Sequence, residues 1–169
     1  MKKNATPALS AGLEENLALF HELLPIRESF DLIERRITIG GKEACYILVD
    51  GLIGGDVLLR LFQHIQGAPT EGVEGLRDFL QKQIGTAEVS AETDPIYIRT
   101  RILAGYTLLL IDGIDSGLLL DLRSFPMRSP DEPELEKVTR GARDGLVETL
   151  LVNTALIRRR IRDENLIYE

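Results

Sequence analysis

The run Arg36-Ile-Thr-Ile39-Gly40-Gly41-Lys42-Glu43-Ala-Cys-Tyr-Ile-Leu-Val49 decides the fold class. Two β-rich segments flank a pair of glycines, and glycine enters the left-handed conformations of a tight hairpin turn without steric cost. The run therefore reads as a β-hairpin, and the chain on either side can be sorted around it. Upstream, Leu13, Leu17, Phe20 and Leu24 recur at helical spacing, with Ser10 placed to cap the helix and Pro25 to end it. Downstream, Gly51-Leu-Ile-Gly-Gly55 leads into a helix that Asp56 can cap and that carries Leu58, Leu61, Phe62 and Ile65.

A second helix carries Leu76, Phe79, Leu80 and Ile84. It is followed by a short strand around Glu88-Val89-Ser90 and a third helix opened by Asp94-Pro95. Tyr106 to Ile111 and Gly117 to Leu122 then read as strands joined through Asp112-Gly-Ile-Asp-Ser116. Strands alternating with helices predict an α/β module of two or three layers, in which helices flank a small sheet mixing parallel and antiparallel pairs. Three prolines between 126 and 133 mark an extended connector. The expected organisation is an α/β core over residues 1–124, a Pro-rich connector over 125–141, and a C-terminal helix with the start of a further subdomain over 142–169.

The chain has 169 residues, of which 44% are hydrophobic and 28% charged, a composition that supports one folded unit with a real core. Its net charge of -7 opposes general attraction to nucleic acid or to an anionic membrane surface. The imbalance is local, because residues 123–169 carry nine groups of each sign. Cys45 is the only cysteine, which excludes an intramolecular disulfide and a thiolate metal cluster. The amino terminus lacks the apolar stretch of a secretory signal, and no apolar run approaches the roughly 20 residues needed to cross a bilayer. The expectation from these features is a cytoplasmic chain.

Chemistry-bearing patterns are sparse. Gly51-x-x-Gly54-Gly55 lacks the spacing of a phosphate-binding loop and reads as a structural turn. His21 and His64 stand apart from any metal-binding arrangement, and Cys45 sits within an apolar strand. Asp50 and Asp112 fall at strand ends, where turn formation explains them, although with Gly51 they could also line a ligand pocket at the sheet edge. No nucleophile, base and orienting group can be assembled, so neither an enzyme nor a cofactor or metal site is expected.

The C-terminal region is the most distinctive. It reads Arg123-Ser-Phe-Pro-Met-Arg128, Pro130-Asp-Glu-Pro-Glu-Leu-Glu136, Arg140-Gly-Ala-Arg-Asp-Gly-Leu-Val-Glu148, then Asn153-Thr-Ala-Leu-Ile-Arg-Arg-Arg-Ile161. On a helix from about Asp144 to Arg162, Leu146, Val147, Leu150, Thr154, Ile157 and Ile161 form the expected core-facing stripe. Asp144, Glu148, Arg158, Arg159 and Arg162 gather on another side. That charged ridge suits salt bridges to another segment better than nucleic acid, which would call for stacking aromatics beyond Tyr168. Lipid headgroups and plain solvation are the other readings.

These motifs, with Phe30-Asp31, Ile39-Gly-Gly-Lys42 and Tyr46 to Gly51 as weaker marks, resemble the spore germination receptor A-subunit family. The likeness is dense from Arg123 onward and diffuse before it. Ala142 and Leu146 depart from the family pattern, which often has proline at the first and an aromatic residue at the second. The resemblance implies an amino-terminal portion of a longer membrane protein, lying at the cytoplasmic, spore-core face of the spore inner membrane and taking part in ion release. It further implies partners in the following soluble subdomain, a transmembrane bundle and other subunits, with self-association compatible. Under it, Arg140, Arg143, Asp144, Glu148, Asn153, Arg158, Arg159 and Arg160 are the expected interface residues, and a nutrient- or ion-sensing pocket at Asp50, Gly51 and Asp112 is the alternative role.

Overall fold

The computed structural model describes residues 8–65, 68, 72–84, 88–124 and 147–169. In chain order the elements are α1 (Leu13–Leu23), β1 (Leu32–Ile39), β2 (Lys42–Val49), α2 (Gly55–Ile65), α3 (Val73–Ile84), β3 (Val89–Glu92), α4 (Pro95–Leu103), β4 (Thr107–Ile111), β5 (Gly117–Leu120) and α5 (Leu150–Arg160). The hairpin forms where the paired glycines place it. Gly40 and Gly41 have φ of 53° and 80°, and Ile39 faces Lys42 across the turn. Asp94 caps α4, its Oδ1 accepting from the Ile96 and Tyr97 backbone N–H groups at 2.9 and 3.3 Å, and Pro95 occupies the first helical position.

The five strands form one sheet in the order β1-β2-β4-β5-β3. Every pairing is antiparallel, which corrects the expected mixture of parallel and antiparallel neighbours. The crossover β3-α4-β4 does make two strands that run the same way, as such connections do. β5 then folds back and inserts between them, so they never become neighbours.

β4 and β5 are buried along their whole length, which shows that helices cover both faces. Leu108, Leu110 and Leu119 pack with Cys45, Ile47 and Val49 against α1 and α4, where Leu17, Phe20, Ile98 and Ile102 are buried. Leu109, Ile111, Leu118 and Leu120 pack on the opposite side with Ile39 and Ala44 against Leu61, Ile65, Leu76 and Leu80 of α2 and α3. The result is a three-layer α/β/α sandwich. Each fully buried Leu or Ile contributes about 1.5–3 kcal/mol relative to exposure, so the sheet is the main source of stability.

The start of α1 differs from expectation. Gly12, not Ser10, is its N-cap residue. The Ser10 hydroxyl accepts from the Gly12 N–H at 3.1 Å and donates to Glu15 at 2.6 Å, while Asp112 at the end of β4 accepts from the Leu13 N–H at 3.2 Å. A strand end thus caps a helix 99 residues away in sequence.

Candidate functional site

α5 and the chain after it dock on the sandwich at the start of β1 and the end of β2. Gly51 follows β2 with φ of 77°, and a Cβ built there would lie 2.9 Å from the Ala155 Cβ and 3.1 Å from the Leu151 carbonyl oxygen. The missing side chain is what lets α5 approach. Thr149 is the N-cap residue, and Asn153 fastens the approach to the helix: its Oδ1 accepts from the Val147 N–H at 2.7 Å and its Nδ2 donates to the Val147 carbonyl at 2.6 Å.

One turn beyond Ala155, the guanidinium of Arg158 is completely enclosed. Its Nε donates to Asp31 Oδ2 at 2.7 Å and its Nη2 to Asp31 Oδ1 at 3.0 Å, a forked geometry that matches the carboxylate. The remaining donors hold the chain beyond the helix, Nη1 bonding the Asp163 carbonyl at 3.0 Å and Nη2 the Leu166 carbonyl at 2.7 Å. Ser29 completes the site by donating to Asp31 Oδ1 at 2.6 Å and accepting from the Tyr168 N–H at 3.0 Å. The Tyr168 hydroxyl donates to the Thr154 carbonyl at 3.1 Å, its ring lies 5.9 Å from that of Phe30, and partial burial pushes its phenol up. Nearby, Arg99 of α4 bonds Glu164 at 2.8 Å. Such a set of contacts holds segments together as a clasp.

This geometry revises the C-terminal expectation. α5 begins at Leu150, so Glu148 precedes it rather than riding on it. Most of the expected core-facing stripe is rotated away: Leu150 and Ile161 are 65% and 49% exposed, and of its described residues Thr154 alone is buried, beside Ala155 and Arg158, which the stripe did not include. The seat at Gly51 takes a small residue, and a carboxylate waits beside it, so shape and charge outweigh the apolar pattern. Arg158 does not belong to an exposed ridge; it is used within the chain. Arg159, Arg160 and Glu148 are at the surface, while Arg140, Arg143, Asp144 and the connector lie outside the described residues. Phe30-Asp31, read from sequence only as a family mark, supplies the other half of the clasp.

The alternative pocket is not assembled. Asp112 N–H bonds the Glu43 carbonyl at the beginning of β2, whereas Asp50 follows the end of β2 and bonds the Asp31 carbonyl through its own N–H. Seven residues of extended strand separate the two carboxylates, roughly 24 Å. Asp112 is committed to α1, and Asp50 Oδ1 accepts from the Gly51 N–H at 2.9 Å. Among the described residues no group of three or more His, Cys, Asp or Glu side chains could hold a metal ion, and no helix is long and apolar enough to cross a membrane.

Residues 21–169 match the family described as Bacillus/Clostridium GerA spore germination protein. The chain belongs to the GerA family. Among its relatives, this GerA chain is 34% identical over 154 residues to stage V sporulation protein AF of Bacillus subtilis (strain 168), covering 90% of the chain and 31% of that protein. It is 32% identical over 167 residues to spore germination protein GerLA of Bacillus cereus, covering 93% of the chain and 33% of that protein. With spore germination protein B1 of Bacillus subtilis the identity is 44% over 127 residues, covering 75% of the chain and 26% of that protein. The GerA chain therefore spans about a third of the length of the first two relatives. Its fold matches the crystal structure of the N-terminal domain of the A subunit of the Bacillus megaterium spore germinant receptor GerK3. The TM-score is 0.66 at 21% identity, covering 95% of the chain and 58% of the other.

Proposed function

We propose that this GerA chain is a noncatalytic amino-terminal module of a spore germination membrane protein, working at the cytoplasmic face of the spore inner membrane. In this reading the sandwich is a rigid platform and α5 with its tail is the joint to the rest of the protein. Assembly or a germination signal passes through that joint to an ion-conducting membrane domain. The observation that carries the reading is the enclosed Arg158–Asp31 pair, which fixes the helix and the following residues to the platform. A helix held by a surface ion pair would decouple readily, because such pairs contribute about 0–1 kcal/mol. A buried fork with two further carbonyl contacts makes the helix and the sheet move as one body.

Coupling to a neighbouring subdomain or subunit then falls to the exposed residues of the same helix, Arg159 and Arg160, with Glu148 just before it. The test is charge reversal at Arg159 in the full-length protein. Arg159→Glu should lower recovery of the germination complex and slow germination while leaving the unfolding transition of the module in place. Unchanged recovery and unchanged germination would remove Arg159 from the joint.

A further inference from the structure

β1 is an edge strand: among the described residues β2 is the one strand that pairs with it, and its outer side carries no strand. The direction of its backbone groups follows from one bond. Asp50 N–H donates to the Asp31 carbonyl at 2.7 Å, so Asp31 faces β2, and in an antiparallel ladder alternate residues face alternate sides. Ile33, Arg35 and Ile37 therefore face β2 as Asp31 does, while Phe30, Leu32, Glu34, Arg36 and Thr38 turn their N–H and C=O groups outward. Two of these N–H groups are already in use: that of Phe30 donates to the Tyr168 carbonyl at 3.0 Å, and that of Leu32 to the Ser29 carbonyl at 3.2 Å.

The geometry of that contact also gives a chain direction. Were the tail antiparallel to β1, Tyr168 and Phe30 would exchange both bonds, and the Tyr168 N–H would point at the Phe30 carbonyl. It donates instead to the Ser29 hydroxyl, on the N-terminal side of Phe30, at 3.0 Å. The tail thus advances from Ser29 towards Phe30, in the direction of β1. We propose that the outer edge of β1 is the seat of a sixth strand, parallel to β1 and supplied by the residues that follow Glu169 in the longer chain.

The register is set by Tyr168. The N–H two residues beyond it would meet the Phe30 carbonyl; the Leu32 N–H stays with the Ser29 carbonyl, so the ladder continues from the Leu32 carbonyl, with Glu34, Arg36 and Thr38 following in steps of two. The contact is continuous with the clasp, so the entering strand starts from a fixed point and needs no independent docking. Two charged side chains on this strand do not obstruct the edge. Glu34 is paired with His21 and Arg36 with Glu14, both drawn onto α1 across one face of the sheet. The inner residues of β1 contain no proline, and eight residues of ladder give the incoming strand about 26 Å of backbone to pair with. This inference rests on the reading of the chain as a module of a longer GerA protein.

Residue-resolved amide exchange on the full-length protein tests it. The outward amides of Glu34, Arg36 and Thr38 should exchange at least about 100-fold more slowly than unstructured amides, in the same class as the inward amides of Ile33, Arg35 and Ile37. Fast exchange confined to the outward set would overturn the proposal, and so would protection that disappears on dilution, since a second copy would then occupy the edge. A proline substitution provides the second measurement. Arg36→Pro removes an outward N–H and should raise exchange at Glu34 and Thr38, whereas Arg36→Ala, which also loses the Glu14 pair, should not. If both variants leave the outward amides protected, no strand lies there. None of these outcomes depends on complex recovery or germination, so failure here is separable from failure of the proposed function.

Discussion

Arg158 and Asp31, 127 residues apart in the chain, form a forked ion pair from which water is excluded, with side-chain exposures of 0% and 1%. The pair joins the last helix to the entry of the first strand.

Removing one partner should be costly. Arg158→Ala leaves an enclosed carboxylate without its cation and is expected to destabilise the module by about 3–5 kcal/mol, read as a lower urea midpoint. Arg158→Lys keeps the charge but cannot make the fork together with the two carbonyl contacts, and should remain well below the parent. Replacing both partners by Asp31→Leu with Arg158→Met should recover much of the loss. Equal midpoints for the parent and Arg158→Ala would show that the clasp does not hold the helix.

Gly51 and Gly41 separate close packing from backbone conformation. Both have positive φ, at 77° and 80°, but nothing lies within 4 Å of a Cβ built on Gly41, whereas one on Gly51 meets Ala155. Gly41→Ala should cost about 1–2 kcal/mol, the left-handed strain alone. Gly51→Ala should cost more, and Ala155→Gly should relieve the excess in a double-mutant cycle. Equal costs at the two glycines would mean that α5 does not rest on Gly51.

Cys45 should be silent in the native state. It is fully buried between β1 and β4, and burial pushes its thiol up to about 12. Thiolate is the reactive form, so labelling by a soluble disulfide reagent at pH 8 should be slow and should track unfolding as denaturant is added. Rapid stoichiometric labelling without denaturant would contradict this packing.

Asp121 gives an acid-sensitive contact. Arg123 donates to it through Nε at 2.7 Å and Nη2 at 2.6 Å, and these bonds hold its carboxyl below the usual carboxylate range. A depressed native value means that the contribution is present above the unfolded value, about pH 4, and is lost as pH falls through the native one. Parent stability should therefore decline more steeply below about pH 4 than that of Asp121→Asn. Parallel acid profiles would remove Asp121 from the acid response.

Much of the sandwich could be read from the residues because its signals are local. The glycine pair at 40 and 41, the Asp94-Pro95 helix start, and the apolar runs at Thr107–Ile111 and Gly117–Leu120 each act over a few positions. Strand sense was not legible in the same way. It depends on β5 entering between β3 and β4, a pairing that no local pattern encodes. The candidate site failed to emerge for a related reason. Arg158 looks like a surface residue until Asp31 is placed beside it, and the helical periodicity that predicted Leu150 and Ile161 as inner residues carries no information about a seat shaped by Gly51. Asp50 and Asp112 are both at strand ends, but only the antiparallel pairing of β2 with β4 reveals that these are opposite ends.

The separation of Asp31 from Arg158 imposes an order on biosynthesis. At typical translation rates roughly 6–25 s pass between the addition of residues 31 and 158, and the clasp cannot close until the later one has left the ribosome. Through that interval the entrance to β1 keeps a hydrated carboxylate. The emerging C-terminal helix, rather than the hairpin made first, is what finally locks the nascent domain.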